Sequence, residues 1–320
     1  MFIYALRKLN LFVVTFILLT FVSYNIGRLA VDGPWHDLPL LHGWGQYLLQ
    51  LSNFDFGINH QGEPVVLDLI QYLPATLELC VFAFLFALAI GVPLGTLAGV
   101  RQGKWLDTLI SSVTLLGFSI PIFWLAILLI MLFALNWGWL PISGRHSLLF
   151  DIPHISGVGL VDAFLIERTY RVDAIHDTLQ HLILPTLALA LSPLTEITRL
   201  TRASVAEVMT HNYVKIAPTK GLSMLTILKR HVVKNALPPI VPKFGLQLST
   251  MIAMTFIIES IFNWPGISLW LLNAVNHLDY IAIQAGVICI ATLVLSANIL
   301  SDLIGSMLNP LVRKEWHAVK

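Results

Sequence analysis

The sequence predicts an all-α integral membrane protein with six transmembrane helices. The chain of 320 residues is 57% hydrophobic and only 12% charged, which is about half the charged share of an average soluble domain. Its apolar residues form continuous runs and do not alternate with polar ones, which favours helices over the strands of a barrel. A bilayer core requires roughly 20 mainly apolar residues per helix, and six windows of the chain reach that length.

The predicted spans cover residues 9–28, 73–100, 109–135, 181–201, 237–262 and 280–308. The first follows Arg7 and Lys8 in the manner of a signal peptide, but no small-residue cleavage site comes after it. An uncleaved first helix is therefore the better interpretation. Several later spans contain proline, which membrane helices tolerate when neighbouring groups satisfy the freed carbonyls. We expect a single transmembrane domain over residues 1–320.

Lysine and arginine residues set the predicted orientation, because cytoplasmic segments carry more of them. With the N-terminus in the cytoplasm, only Arg28, Arg145, Arg168 and Arg171 of the 19 lysines and arginines fall outside. Both termini are then cytoplasmic. The outside loops, 29–72 and 136–180, are long and acidic, which indicates either a docking surface or solvated connections. The longest inside loop covers residues 202–236.

Several kinds of chemistry are absent from the sequence. It contains no G-x-x-x-x-G-K-[ST], H-E-x-x-H or G-x-S-x-G motif, so we expect neither a P-loop ATPase nor an enzymatic site. Cys80 and Cys289 lie in apolar runs, which favours packing over a disulfide or metal site. The 11 histidines are scattered, and a net charge of +1 is too small to attract nucleic acid. We expect no cofactor and no metal in this chain.

Four acidic residues, Glu78, Glu196, Glu259 and Asp302, lie in or near spans. A charge at the bilayer centre costs about 2.5–3.5 kcal/mol, so each is a functional candidate. Glu259, in "MTFIIESIFNWPG", is the strongest candidate to face a water-filled path, and a hydrogen-bonded helix end is the alternative. We include it with Ser119 and Asn263 in the predicted translocation path.

The most unusual segment is "NYVKIAPTKGLSMLTILKRHVVKNALPPI", residues 212–240, which has five basic residues and no acidic ones. Such a segment can lie on anionic lipid or dock a cytoplasmic partner. Docking is favoured because Gly221 can end one short helix in the left-handed conformation. Ser223 can then cap the next helix. The segment is therefore predicted to form a compact pair of helices.

The order of motifs resembles that of a known family. Residues 213–238 resemble the EAA loop of binding-protein-dependent ABC transporter permeases, in the form found in the dipeptide/oligopeptide/nickel branch. The resemblance extends over essentially the whole chain. Segments that agree with it are "LPATLELC" (73–80), "GFSIPIFWLAILL" (117–129), "LPISGR" (140–145), "HLILPTLALAL" (181–191), "TRLTRASVAEV" (198–208) and "ESIFNWPGIS" (259–268).

This resemblance implies a type I ABC importer permease fold in a bacterial inner membrane, with this subunit forming half of a path for peptide uptake. The implied partners are a second homologous permease, two P-loop ATPase subunits that bind ATP and Mg²⁺, a periplasmic substrate-binding protein, the peptide substrate and membrane lipid. The implied ATPase-coupling residues are Tyr213, Val214, Lys215, Ala217, Gly221, Leu222, Arg230 and His231.

The sequence departs from the family pattern at three places. Lys215-Ile216-Ala217 replaces the Glu-Ala-Ala that gives the loop its name, a change that is common in the peptide branch. Pro218 lies inside the expected coupling helix, where an interior proline costs about 3 kcal/mol and should kink or end the helix. Ser268 stands where the family pattern leads us to expect glycine.

The substrate stays open at this point. The branch implies peptides, but nickel, haem or polyamine transport, including export, can use the same architecture. A self-sufficient channel or secondary transporter would show charged relays and repeated, broken helices. A membrane-embedded enzyme would need a nucleophile with its base, or metal ligands, at depth. Neither pattern is found in the sequence.

Overall fold

The computed structural model describes residues 2–30, 33–166 and 169–308. Within these ranges the chain is helical, and its single β-bridge joins Ile58 to Pro64. Five helices are long and apolar enough to cross a membrane, and a bent pair supplies a sixth span. The prediction of an all-α membrane fold is confirmed. Arg168 and the basic C-terminal residues Arg313, Lys314 and Lys320, which entered the predicted orientation, lie outside the described residues.

The connections between the helices differ in length, and the longest lies between Asn136 and Gly159. In chain order they are α1 (Phe2–Gly27), α2 (Leu40–Ser52), α3 (Val65–Val100), α4 (Trp105–Ser119), α5 (Ile122–Leu129), α6 (Gly159–Leu165), α7 (Arg171–Met209), α8 (Asn212–Ile216), α9 (Met224–Ile227), α10 (Lys234–Ala236), α11 (Val241–Phe262), α12 (Ile267–Asn276) and α13 (Tyr280–Leu308). A π-helical segment, Ile130–Asn136, continues α5, and a second, Leu228–Val233, joins α9 to α10.

The third predicted span, 109–135, is not one straight helix. Helix α4 and the helix that begins at Ile122 meet at an angle of 98°. The bend lies at Pro121, and Ile120 before it has an extended backbone (φ −81°, ψ 122°). A residue that precedes proline avoids the helical region because the proline ring crowds its backbone. The prediction of a continuous helix was wrong here because a proline can break a span as well as kink it.

Three helices are longer than their predicted spans, and α3 and α7 exceed them the most. Helix α3 begins at Val65 and α7 extends from Arg171 to Met209. At 1.5 Å per residue, the 39 residues of α7 measure about 58 Å. This exceeds a hydrocarbon core of about 30 Å, so α7 extends beyond it. The predicted outside loops also contain the short helices α2 and α6.

Close packing of α3 against α7 forms the centre of the fold. Gly91, Gly95 and Gly99 lie four residues apart along one face of α3. A Cβ atom on Gly95 would come within 2.6 Å of the Thr198 carbonyl oxygen on α7. Small residues at this spacing let two helix backbones approach closely.

Ion pairs also form within and between the helices. Asp107, at the start of α4, pairs with Arg202 on α7 through two hydrogen bonds. Lys8 on α1 pairs with Asp302 on α13 at 2.5 Å. Glu196 pairs with Arg199 within α7 at 2.6 Å. Of the four acidic residues noted in the spans, Glu196 and Asp302 therefore have cationic partners.

Candidate functional site

The basic segment forms a pair of short helical arms separated by a sharp turn. Helix α8 ends at Ile216, and residues Ala217–Lys220 form a 3₁₀ turn that contains Pro218. Gly221 follows in the left-handed conformation (φ 77°). Ser223 then caps α9, because its hydroxyl accepts a hydrogen bond of 3.3 Å from the Thr226 amide. The predicted left-handed glycine and serine cap are confirmed, and α8 ends before Pro218.

The two arms are seated on the ends of α3 and α7. Ser204 on α7 donates a hydrogen bond of 2.7 Å to the carbonyl oxygen of Ala236. We call residues 212–236 the coupling segment, and the end of the fold that carries it the loop end. A buried apolar cluster joins the segment to the long helices; it consists of Val205, Val208, Val214, Ala217, Ile227, Val232 and Ala236, with Val100 of α3 packed against it.

The eight residues predicted to couple this chain to an ATPase occupy different positions. Val214 and Ala217 are buried in the apolar cluster, so they support the segment from inside. Leu222 and His231 are half-buried. Tyr213, Lys215, Gly221 and Arg230 are exposed and can meet a partner directly.

Three exposed apolar side chains in the coupling segment were not among the predicted residues. Ile216, Met224 and Leu225 are 52%, 46% and 63% exposed. They lie beside the basic side chains, so the exposed surface of the segment is both apolar and cationic. Exposed apolar side chains set among polar ones are typical of protein–protein contacts.

Tyr213 connects the two arms. Its ring stacks on His211 at 5.6 Å between centroids and also lies 6.5 Å from the ring of His231. Its hydroxyl accepts a hydrogen bond of 3.3 Å from the Asn235 side chain. These contacts hold the first arm against the second.

The three residues predicted for the translocation path lie on two elements. Ser119 is exposed at the last position of α4, directly before the 98° bend. Asn263 directly follows α11 in the left-handed conformation (φ 46°) and is exposed. Glu259 lies one turn earlier and is fully buried. Glu259 is a hydrogen-bonded group at a helix end, which is the alternative that the sequence left open. The assignment of Ser119, Glu259 and Asn263 to the translocation path stays a prediction.

The carboxylate of Glu259 lies at the N-terminus of α12. It accepts hydrogen bonds from the amides of Ser268 and Leu269, at 2.9 and 3.0 Å, and from the Thr76 hydroxyl at 2.6 Å. A carboxylate is stabilised there by the free amides and by the helix dipole. The Ser268 hydroxyl pairs with that of Thr255 at 2.8 Å, which gives a structural role to serine at this position.

Glu78 has the same relationship to α6. It accepts hydrogen bonds from the amides of Gly159 and Leu160, at 3.1 and 2.9 Å. Arg145 donates to Glu78 at 2.5 and 3.1 Å and to the Gly157 carbonyl oxygen at 2.6 Å. Both charged side chains of this ion pair are almost completely buried.

One turn of α3 joins the two carboxylate sites. The Ala75 carbonyl oxygen accepts a hydrogen bond of 3.0 Å from the Trp264 indole, and Thr76 also accepts one from the Ile267 amide at 2.8 Å. The Arg145 guanidinium lies 5.9 Å from the centre of the Trp264 ring. We call this arrangement the far-end network, because α3 separates it from the coupling segment.

The far-end network explains three of the family-like motifs. "LPATLELC" contains Thr76 and Glu78, "LPISGR" contains Arg145, and "ESIFNWPGIS" contains Glu259 and Trp264. Sequence reasoning did not identify Thr76, Arg145 or Trp264 as site residues, although all three stood inside quoted motifs. Within the described ranges, no three His, Cys, Asp or Glu side chains come together as metal ligands.

Comparison with known proteins agrees with this geometry. Residues 91–314 match the family described as binding-protein-dependent transport system inner membrane component. The chain belongs to that family and is a multi-pass permease subunit of an ABC transporter in the bacterial inner membrane. The family implies ATPase and substrate-binding partners in a transporter complex.

Individual relatives cover the full length. The chain is 46% identical, over the whole of both sequences, to the "Putrescine export system permease protein SapB" of Escherichia coli strain K12. It is 44% identical, again over both whole sequences, to the "Peptide transport system permease protein SapB" of Salmonella typhimurium strain LT2. It is 35% identical to the "Dipeptide transport system permease protein DppB" of Escherichia coli strain K12, covering 97% of this chain and 98% of the relative.

A solved structure supports the fold. An inward-facing structure of the MetNI methionine ABC transporter contains a chain that matches 73% of this one, with 93% of that chain covered, at a TM-score of 0.55 and 16% identity. The type I ABC importer permease fold implied by the motifs is therefore confirmed.

Proposed function

We propose that this permease carries peptides into the cell together with a second homologous permease, two P-loop ATPase subunits and a periplasmic substrate-binding protein. In this proposal both termini and the coupling segment lie in the cytoplasm, and residues 29–72 and 136–180 lie outside. ATP and Mg²⁺ bind only to the ATPase subunits, and this chain has no enzymatic site of its own. The relatives whose printed names describe peptide or dipeptide transport support the substrate class.

The observation that carries the proposal is the seating of the coupling segment on the two longest helices. Val100 of α3 and Val205 of α7 pack directly against it. Packed elements move as rigid bodies and do not deform continuously. A displacement of the segment by an ATPase would therefore be passed along α3 and α7.

Helix α3 also reaches the far-end network, through Thr76 and Glu78. At 1.5 Å per residue, the Thr76-to-Val100 stretch measures about 36 Å. One continuous helix thus connects a surface suited to an ATPase with the network that holds α6 and α12. This connection supports a mechanism in which nucleotide binding at one end repositions helices at the other.

Gly221→Asp tests the coupling role. A Cβ atom at this position would meet nothing within 4 Å, so aspartate does not clash there. It strains the left-handed turn and adds a negative charge to a basic surface. We expect loss of ATP-driven peptide transport and weaker ATPase binding in proteoliposomes containing all four kinds of subunit. Unchanged transport and ATPase binding in the variant would refute the assignment.

A control separates the ABC proposal from a channel. The purified chain alone, reconstituted without nucleotide, should move no substrate. Uptake by the chain alone would show that it is a self-sufficient transporter.

Polyamine export is the second candidate, and one observation favours it. The relative from Escherichia coli K12, at 46% identity, carries the printed name of a putrescine export permease. Transport measured in both vesicle orientations, with a labelled dipeptide and labelled 1,4-diaminobutane, distinguishes the two. Peptide import should dominate under the main proposal, and ATP-dependent diamine export should dominate under the alternative.

A further inference from the structure

A small cavity at the far end has a lining that matches an organic cation. The cavity, of about 320 Å³, lies among the first turns of α3, the outward face of α12, the start of α13 and residues 59–61. This volume is at the lower end of the range for small-molecule sites. It is separate from both the coupling segment and the far-end network.

The charge of the lining is negative. Asp68 and Asp279 both contribute to it, and none of its described residues is a lysine or arginine. Asp279 is buried and accepts hydrogen bonds from the His60 ring at 2.9 Å, the His60 amide at 2.8 Å and the Ala282 amide at 3.0 Å. Asp279 therefore serves mainly to shape the cavity.

Asp68 is better placed to bind a ligand. It accepts a hydrogen bond of 2.9 Å from the Asn59 side chain through one oxygen. A carboxylate can accept several hydrogen bonds from its two oxygens, so it retains capacity for a donor inside the cavity. It is partly buried, where its attraction for a cation is stronger than on an open surface.

Aromatic rings form the adjoining walls. Tyr72 lies one turn after Asp68 on the same face of α3, and its ring stacks on Trp270 at 6.3 Å between centroids. His60 and His277 stack at 5.2 Å and 9°. A cation near the faces of Tyr72 and Trp270 is attracted by their negative π surfaces, so these two rings and Asp68 favour the same kind of ligand.

The backbone beside the cavity is strained. Leu278, between His277 and Asp279, has φ +55° although it is neither glycine nor asparagine and its side chain is 66% exposed. This conformation allows the Asp279 amide to bond back to the Ala274 carbonyl oxygen at 2.9 Å while its carboxylate meets His60. Such strain persists where surrounding contacts enforce it and is common at binding sites.

We propose that this cavity binds a primary alkylammonium group, with Asp68 as its ionic partner and Tyr72 and Trp270 as its aromatic walls. The three N–H donors of an ammonium suit a carboxylate oxygen and the neighbouring amide oxygens. The same group occurs on free diamines and on lysine side chains. The site concerns binding by this chain alone, so it does not depend on the direction of transport or on which partners drive it.

Equilibrium dialysis of the full-length chain in nanodiscs tests the site, with 1,4-diaminobutane as probe and butane-1,4-diol as its uncharged counterpart. The wild-type chain should bind the diamine and not the diol. Asp68→Asn removes the charge with little change of shape and should weaken diamine binding by about tenfold or more, as expected for the loss of a charged hydrogen bond.

Two further variants complete the test. Trp270→Leu should weaken diamine binding by about threefold or more through loss of the aromatic wall, whereas Trp270→Phe should retain most of it. Asp37→Asn removes an exposed acidic charge that does not line the cavity and should leave binding unchanged. Equal binding of diamine and diol, or equal effects of Asp68→Asn and Asp37→Asn, would overturn the proposal.

A second binding experiment, with peptides as probes, identifies the source of the ammonium group. A blocked Ala-Lys-Ala tripeptide is compared with its norleucine analogue, which lacks the charge. Asp68-dependent binding of the lysine peptide supports capture of a side chain, and Asp68-dependent binding of the diamine alone supports a free small cation. Failure of both probes would rule out an alkylammonium site.

Discussion

Thr76 on α3 and Glu259 on α11 are joined by a hydrogen bond of 2.6 Å, although 183 residues separate them in the chain. Glu259 caps α12, and two residues after Thr76 the ion-paired Glu78 caps α6. One turn of α3 therefore holds two short helices through two buried carboxylates. Helix α3 also reaches the coupling segment, so the proposed mechanism has one helix in contact with both ends.

Gly266→Ala tests the approach of Glu259 to α12. A Cβ atom at this position would overlap the Glu259 carboxylate, so the carboxylate must leave the α12 amides. Buried donors that lose their partner cost about 1–3 kcal/mol, and we expect a lower midpoint of thermal unfolding in detergent. Gly45→Ala is the matched control, because Gly45 lies in α2 with nothing within 4 Å and alanine there should add about 0.5–1 kcal/mol of stability. Equal shifts in the two variants would contradict the close approach.

Arg145→Gln tests the buried ion pair. Glu78 would remain almost fully buried without its cationic partner, and breaking such a pair costs about 3–5 kcal/mol. We expect a large loss of thermal stability. Arg199→Gln removes an arginine that is 68% exposed and pairs with Glu196; exposed pairs contribute about 0–1 kcal/mol. Similar melting temperatures for the two variants would show that Glu78 does not depend on Arg145.

The spans and the turn of the coupling segment could be predicted from the sequence because both depend on nearby residues. An apolar run reveals a span, and the left-handed Gly221 and the capping Ser223 act within their own turns. The far-end network could not be predicted in this way. Arg145 meets Glu78 across 67 residues, and nothing in either local pattern indicates the other.

The prolines show a second limit. Pro121 breaks the third predicted span by 98°, whereas Pro74 and Pro93 lie inside the continuous helix α3. Each removes one amide donor, and the outcome depends on whether surrounding helices hold the chain straight. Glu259 was correctly singled out as an unusual charge, but its partners Thr76, Ser268 and Leu269 become visible only in three dimensions.

Leu278→Gly is expected to stabilise the protein. Leu278 adopts φ +55° at the end of α12, where a side chain with a Cβ atom costs roughly 1–2 kcal/mol. Glycine removes that cost but is more flexible than leucine in the unfolded chain, which offsets part of the gain. We therefore expect the free energy of unfolding to increase by about 1 kcal/mol. Leu278→Ala keeps the Cβ atom and should give little change in the thermal midpoint. A gain in the alanine variant equal to that in the glycine variant would mean that the backbone is not strained.

Leu225→Asp and Ile227→Asp separate contact from support within the coupling segment. Leu225 is 63% exposed and Ile227 only 2%, although the two lie two residues apart in α9. Aspartate at 225 should change the free energy of unfolding by no more than about 0.5 kcal/mol. It should weaken ATPase binding, because it places a negative charge on the exposed apolar surface. Aspartate at 227 buries an unpaired charge among Val205, Val214 and Val232 and should destabilise the segment itself.

Thermal unfolding of the isolated chain and pull-down of the ATPase subunits measure the two effects separately. The assignment of this surface to the ATPase fails if Leu225→Asp preserves full ATPase binding.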